Sequence, residues 1–142
     1  MHFNKFRVFA FLSMLLSAAA VHAEQKVALG TWDVHYIALN STFLTPEVAK
    51  QYGILRSKFN GLINISVLDK KTSAAQSVVM NGEAKNLLGV VKSLSFKEVK
   101  EGQAIYYLAT LPFSDQERYR ISITINDGAT TQQFTFEHKF YA

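Results

Sequence analysis

Apolar and polar residues alternate with a period near two over most of the chain, the pattern of strands that bury one face. Arg118 to Asn126 shows it most cleanly. Tyr119, Ile121, Ile123 and Ile125 fall on one side, with Arg118, Arg120, Ser122, Thr124 and Asn126 on the other. Ile63, Ile65 and Val67 likewise share a face opposite Asn64 and Ser66, and Phe134, Phe136 and Phe140 line one side of Thr131 to Tyr141. Between Thr31 and Leu39 the pattern changes face: Trp32, Val34 and Tyr36 point one way, Ile37 and Leu39 the other. Such a strand is either buried on both sides or re-aimed by a bulge. Further strands are predicted over Ser77–Met80, Ala84–Leu88, Val91–Val99 and Ala104–Leu111. The turns fall at Asp69-Lys70-Lys71-Thr72, Glu101-Gly102 and Asp127-Gly128, and Asn81-Gly82 reads as a hairpin joining two of the strands. The result is an all-β, immunoglobulin-like antiparallel sandwich of seven or eight strands.

One segment breaks the alternation. Thr45-Pro46-Glu47 is a helix start: the Thr45 hydroxyl can accept from an orphan N–H, Pro46 loses no needed donor, and Glu47 suits the positive end of the dipole. Val48, Ala49 and Tyr52 then share a side, and Gly53 can end the helix in the left-handed conformation. A helix of this length, near residues 46–52, persists only if that side packs on the sheet.

The first residues read as an export leader. Lys5 and Arg7 precede an apolar run from Val8 to Ala20, followed by Val21-His22-Ala23. The run is too short for a membrane span. Residues 1–23 are therefore expected to be a signal peptide cleaved after Ala23, with residues 24–142 a single periplasmic domain and no membrane span left after cleavage. The whole chain has 15 Lys+Arg against 11 Asp+Glu; without Lys5 and Arg7 the excess falls to two charges. So small an excess gives no case for nucleic acid. With no cysteine, disulfides and thiolate chemistry are excluded, and stability must come from burial.

Gly30-Thr31-Trp32-Asp33-Val34-His35-Tyr36, then Ala38-Leu39-Asn40-Ser41-Thr42-Phe43-Leu44, Thr45-Pro46-Glu47-Val48-Ala49, Tyr52-Gly53-Ile54, Arg56-Ser57-Lys58 and Asn64-Ile65-Ser66-Val67 follow one another in order. This block resembles a family of small exported gammaproteobacterial proteins catalogued as domain of unknown function 4426. The resemblance is specific over about residues 30–68. It implies a periplasmic immunoglobulin-like sandwich and brings no activity, substrate or catalytic residue.

Candidate chemistry is sparse. Beyond the leader the histidines are His35 and His138. Asp33 and His35 lie on one strand face and could form a metal or catalytic pair, but two ligands are too few. His138 shares the face of three phenylalanines, as a core or edge imidazole does. Met80 alone among the methionines follows the leader, which weakens a Met/His copper site. No nucleophile elbow or phosphate loop occurs, so neither an enzyme nor a bound cofactor is expected. The polar residues that bracket the helix are more promising. Asn40 and Ser41 precede it and Arg56 and Lys58 follow it, so they can meet at one end of the sandwich, where such folds place recognition. The competing reading has Asn40 and Ser41 serving the turn and Arg56 pairing with Glu47 or a loop carbonyl. The expected function is a non-enzymatic binding module with an envelope protein partner. The alternative is a ligand carrier whose helix covers an inter-sheet gap lined by Trp32, Tyr36, Phe43 and Tyr52.

Overall fold

The computed structural model describes residues 24–142; the expected leader lies outside the described residues. In chain order the elements are β1 (Gln25–Leu29), β2 (Trp32–Asn40), a 3-10 turn (Ser41–Phe43), α1 (Pro46–Gln51), β3 (Asn60–Asp69), β4 (Val79–Asn86), β5 (Val91–Ser95), β6 (Lys97–Glu101), β7 (Ala104–Pro112), β8 (Glu117–Asn126) and β9 (Thr131–Phe140). They form a five-stranded sheet, β1-β2-β3-β7-β6, and a four-stranded sheet, β5-β4-β8-β9, antiparallel throughout. With β1 set aside, the order is that of an immunoglobulin-like sandwich carrying one extra strand beside its C strand.

The inner faces meet as the alternation predicts. Val34, Ile63, Ile65, Tyr119, Ile121 and Ile125 are fully buried between the sheets. Ile37, Leu39, Leu62 and Leu108 face the other way, and on that outer side they pack against Val48, Ala49 and Tyr52 of the α1 region. Of the two explanations for the face change in β2, burial on both sides therefore holds, with the helix as the second cover.

The helix is capped as its sequence dictates. Thr45 Oγ1 accepts from the Val48 N–H at 3.2 Å, Pro46 occupies the first turn, and Gly53 has a φ of +66°. Thr45→Ala is expected to cost about 1 kcal/mol, read by urea denaturation.

Three expectations about the strands are corrected here. There are nine strands, not seven or eight, because Gln25–Leu29 adds an edge strand to β2. Asn81-Gly82 is no hairpin: both residues lie inside β4, which runs unbroken through Ala84 to Asn86. A Cβ on Gly82 would sit 2.8 Å from Ile123 Cδ1 and 3.1 Å from the Ser122 carbonyl, so this glycine serves close approach. Val91–Val99 is two strands in different sheets, because the chain crosses the sandwich at Phe96. The buried residues of this stretch, Leu94 and Val99, are an odd number of positions apart, as a change of face between two strands requires.

Tyrosines tie the layers together. The Tyr52 hydroxyl donates to the Glu101 carboxylate, and Lys97 Nζ donates to the Tyr52 carbonyl at 3.2 Å, which fastens the helix to the sheet. Burial raises the pKa values of Tyr52, Tyr106 and Tyr107 above the free value, and Glu101 adds to the effect at Tyr52 and Tyr106. A folded-state pKa above the unfolded one contributes stability that is complete below the unfolded pKa and is lost as pH rises past it. The melting temperature is thus expected to fall steeply above about pH 10, and less steeply in Tyr52→Phe.

Candidate functional site

The residues that flank the helix do converge. β2 ends at Asn40 opposite Gly61, β7 ends at Pro112 opposite Asn60, and β8 starts at Glu117 opposite Phe140. The same end holds the β4–β5 turn, where Asn86 Nδ2 donates to Glu117 at 3.1 Å. It also holds the C-terminal residues, where the Ala142 N–H donates to Asp115 Oδ1 at 2.9 Å.

Most polar groups of the predicted set are used within this end. Asn40 Nδ2 donates to the carbonyls of Lys58 (2.8 Å) and Tyr141 (3.1 Å), and its Oδ1 accepts from the N–H and hydroxyl of Thr42. That fills the hydrogen-bonding capacity of the amide. Ser41 is fully buried; its Oγ donates to the Ser57 carbonyl at 2.8 Å and accepts from the Ser57 N–H at 3.0 Å. Arg56 donates to the carbonyls of Leu44 (2.8 Å) and Thr42 (3.3 Å), the loop-carbonyl partnership, and not to Glu47. Only Lys58 projects its charge, with Nζ 5.3 Å from the centroid of the Phe59 ring.

Beside this network lies a groove of about 450 Å³, lined among others by Leu39, Phe43, Lys58, His138, Lys139 and Tyr141. Lys139 Nζ sits 5.5 Å above the Tyr141 ring. The floor is apolar and the rim carries two ammonium groups. The end as a whole gathers exposed hydrophobic side chains: Phe43, Leu55 and Phe59 from the helix loop, Leu87, Leu88, Val90 and Val91 from the β4–β5 turn, and Tyr141. Among the described residues, the remaining exposed large apolar side chain is Val79, at the opposite end of β4.

The β4–β5 turn was missed in the sequence, where Ala84–Leu88 reads as a strand. Its signal was nevertheless there: Leu87-Leu88 and Val90-Val91 flank Gly89, and a turn with apolar pairs on both sides of its glycine has no buried face to serve.

Tyr36 and Tyr52 do not share a site. Trp32 and Tyr36 belong to the core between the sheets, where Tyr36 lies 4.6 Å from the Phe136 ring, while Tyr52 packs on the outer face. An inter-sheet ligand gap under the helix is therefore not formed, because the helix covers the other side of the sheet.

On that outer face the helix covers only part of the surface. The remainder holds a second depression of about 390 Å³, lined among others by Glu24, His35, Ser66, Gln103 and Tyr106. His35 Nδ1 lies 2.6 Å from Glu24 Oε1, so its partner is Glu24 and not Asp33. Asn64 is buried nearby, and its Oδ1 has no hydrogen-bond partner among the described residues. Among the described residues no three His, Asp or Glu side chains converge as a metal site needs, and Met80 is buried in the core.

Together these features define a small immunoglobulin-like β-sandwich whose helix-bearing loop end presents an apolar, lysine-edged surface. The chain belongs to the family described as Domain of unknown function (DUF4426), whose model matches residues 26–142. It is similar to the crystal structure of a DUF4426 family protein from Pseudomonas aeruginosa PAO1, with 38% identity and a TM-score of 0.73 over 83% of this chain and 94% of that one. A copper-bound variant of FetP from uropathogenic Escherichia coli strain F11 shares the fold at 12% identity, with a TM-score of 0.57 over 82% of this chain and 93% of that one. As-isolated FetP, expressed recombinantly in the Escherichia coli periplasm, gives 11% identity and a TM-score of 0.54 over 83% and 92%. No curated protein matches the chain. Among the described residues no helix is long and apolar enough to cross a membrane.

Proposed function

We propose that the protein is a non-enzymatic binding module of the periplasm that engages an envelope partner through the loop end of its sandwich. One observation carries this reading: nearly all the exposed large apolar side chains of the described residues gather at that end. Contiguous exposed apolar surface is costly in water and marks sites that another surface covers. The groove beside Lys58 and Lys139 gives that contact a concave element. Asn40, Ser41 and Arg56 serve as its frame: they hold the loop carbonyls that set the groove wall, and Lys58 makes contact. Export rests on the basic, then apolar, then small-residue order of residues 1–23. Glu24 is then the first residue of the processed protein.

FetP carries copper in the structure named above; among the described residues here no three His, Asp or Glu side chains converge. The Asp33 and His35 pair therefore stays outside this reading.

Capture from an envelope extract tests it. The double substitution Lys58→Glu/Tyr141→Ala is expected to lower capture about tenfold, and Val79→Ser, at the opposite end, to leave it unchanged. Equal capture by all three proteins would remove the loop end from consideration. Arg56→Ala is a poorer probe, since loss of its bonds to Thr42 and Leu44 moves the loop itself.

A further inference from the structure

The β4–β5 turn has a surface that the fold does not use. Leu87 is 82% exposed and Leu88 89%, with Val90 and Val91 half exposed behind them. The turn is held rigidly all the same. The Asn86 N–H donates to the Val90 carbonyl at 3.0 Å, and Asn86 Oδ1 accepts from the N–H groups of Leu88 (3.0 Å) and Val90 (2.8 Å). Gly89 supplies the left-handed residue, with φ +84°. The four aliphatic side chains therefore cannot fold back onto the sandwich; they are displayed in water by the backbone that carries them.

Charge surrounds this tip on one side of the balance. Lys85 stands next to it, opposite Val91 and Arg120, and Lys92, Arg118, Lys58 and Lys139 lie at the same end. Acidic residues lie there too, and the basic ones outnumber them: Glu117 accepts from Asn86 and Ser114, Asp115 accepts from Ala142, Glu137 pairs with Arg118 at 3.7 Å, and Glu47 stands in the first turn of the helix. Among the described residues Lys58, Lys85, Lys139 and Arg120 make no ion pair.

We propose that this tip anchors the protein to an anionic phospholipid surface: Leu87, Leu88, Val90 and Val91 enter the headgroup–acyl boundary, and the surrounding lysines hold lipid phosphates. The proposal rests on the reading that the loop end is the recognition end, and it names that partner. Two features select lipid. Leu87 and Leu88 stand almost wholly in water at the end of a turn that packs on nothing, which suits a fluid apolar phase. The basic residues match phosphate, and an apolar insertion joined to basic attraction is the pair of weak signals that stable peripheral attachment needs. A second copy of the chain is disfavoured, because a two-fold contact through this end would bring the same lysines face to face.

The test uses protein recovered from the envelope of producing cells, its N-terminus verified by mass spectrometry. It is floated with vesicles of phosphatidylcholine alone or of phosphatidylcholine with phosphatidylglycerol. The protein is expected to float with the anionic vesicles and to be released by added salt. Both Leu87→Ser/Leu88→Ser and Lys85→Glu/Arg120→Glu are expected to lower association about tenfold without moving the melting temperature, since these side chains are exposed. A Leu88→Trp variant is expected to show a blue shift on anionic vesicles, because Trp32 is buried and does not respond. Failure of the wild type to float with anionic vesicles, or equal flotation of Leu87→Ser/Leu88→Ser, overturns the proposal. If instead the tip variant loses capture of an envelope protein and the wild type ignores vesicles, the lipid assignment falls and the loop-end reading stands. If the tip binds vesicles while Lys58→Glu/Tyr141→Ala captures normally, the anchor stands and the groove loses its role.

Discussion

Phe140→Ala is expected to lower the unfolding free energy by about 4 kcal/mol and the melting temperature by about 15 °C, one of the two largest single-residue effects predicted here. Phe140 is the last residue of β9 and is buried where the sandwich closes at the loop end. Its ring stacks 4.9 Å from Phe113 and meets Tyr119 edge-on at 6.2 Å. It also lies directly on Gly61, where an added Cβ would sit only 2.6 Å from Phe140 Cε1. The ring thus joins β9, β8, β3 and the chain after β7, and neighbours fixed in two sheets cannot collapse into the space it would leave. Thermal denaturation measures the loss. Because the same ring lines the groove, the variant should lose capture as well as stability. Gly61→Ala should destabilise from the opposite direction, by overpacking.

Tyr107→Phe is expected to cost about 2 kcal/mol, although it removes a single oxygen. The Tyr107 hydroxyl accepts from the Val78 N–H at 2.7 Å and donates to Glu98 at 2.8 Å. Ser77 donates to the same carboxylate at 3.0 Å. These bonds fix the connection that carries the chain from β3 across to β4. Without the hydroxyl the Val78 amide is left partly buried with no acceptor, and an orphaned donor costs more than an average hydrogen bond gives. The bonds from Tyr107 and Ser77 also hold the Glu98 pKa below the usual carboxylate range. A folded-state value below the unfolded one contributes stability present above the unfolded pKa and lost as pH falls through the folded pKa. The destabilisation by Tyr107→Phe should therefore shrink in acid. Urea titrations at neutral and acid pH read both effects.

What could be read in the sequence was what local pattern controls. In β8 a strict alternation gives four inward residues, three isoleucines and a tyrosine, and all four are buried. Thr45-Pro46 and Gly53 bound the helix because caps are local chemistry. Even the double-sided burial of β2 showed as a change of face before its cause was known. What was not legible depends on partners distant along the chain. Gly82 looks like a turn residue until Ile123 and Phe96 are seen against it. The switch at Phe96 is a choice of sheet that no window of residues contains. Asn40, Ser41 and Arg56 were placed correctly at one end, yet whether their polar atoms face outward or serve the loop depends on Ser57, Lys58 and Tyr141 closing over them. His35 paired with Glu24 and not with its sequence neighbour Asp33, because β1 adds to the sheet edge there.

Hydrogen–deuterium exchange of the protein, with and without isolated envelope membranes, tests the central claim most directly. The claim predicts new protection confined to residues 41–44, 56–60, 86–91 and 139–142. Protection confined instead to the far-end turns at residues 70–73 and 127–130, or to the outer face around His35 and Ser66, would contradict it.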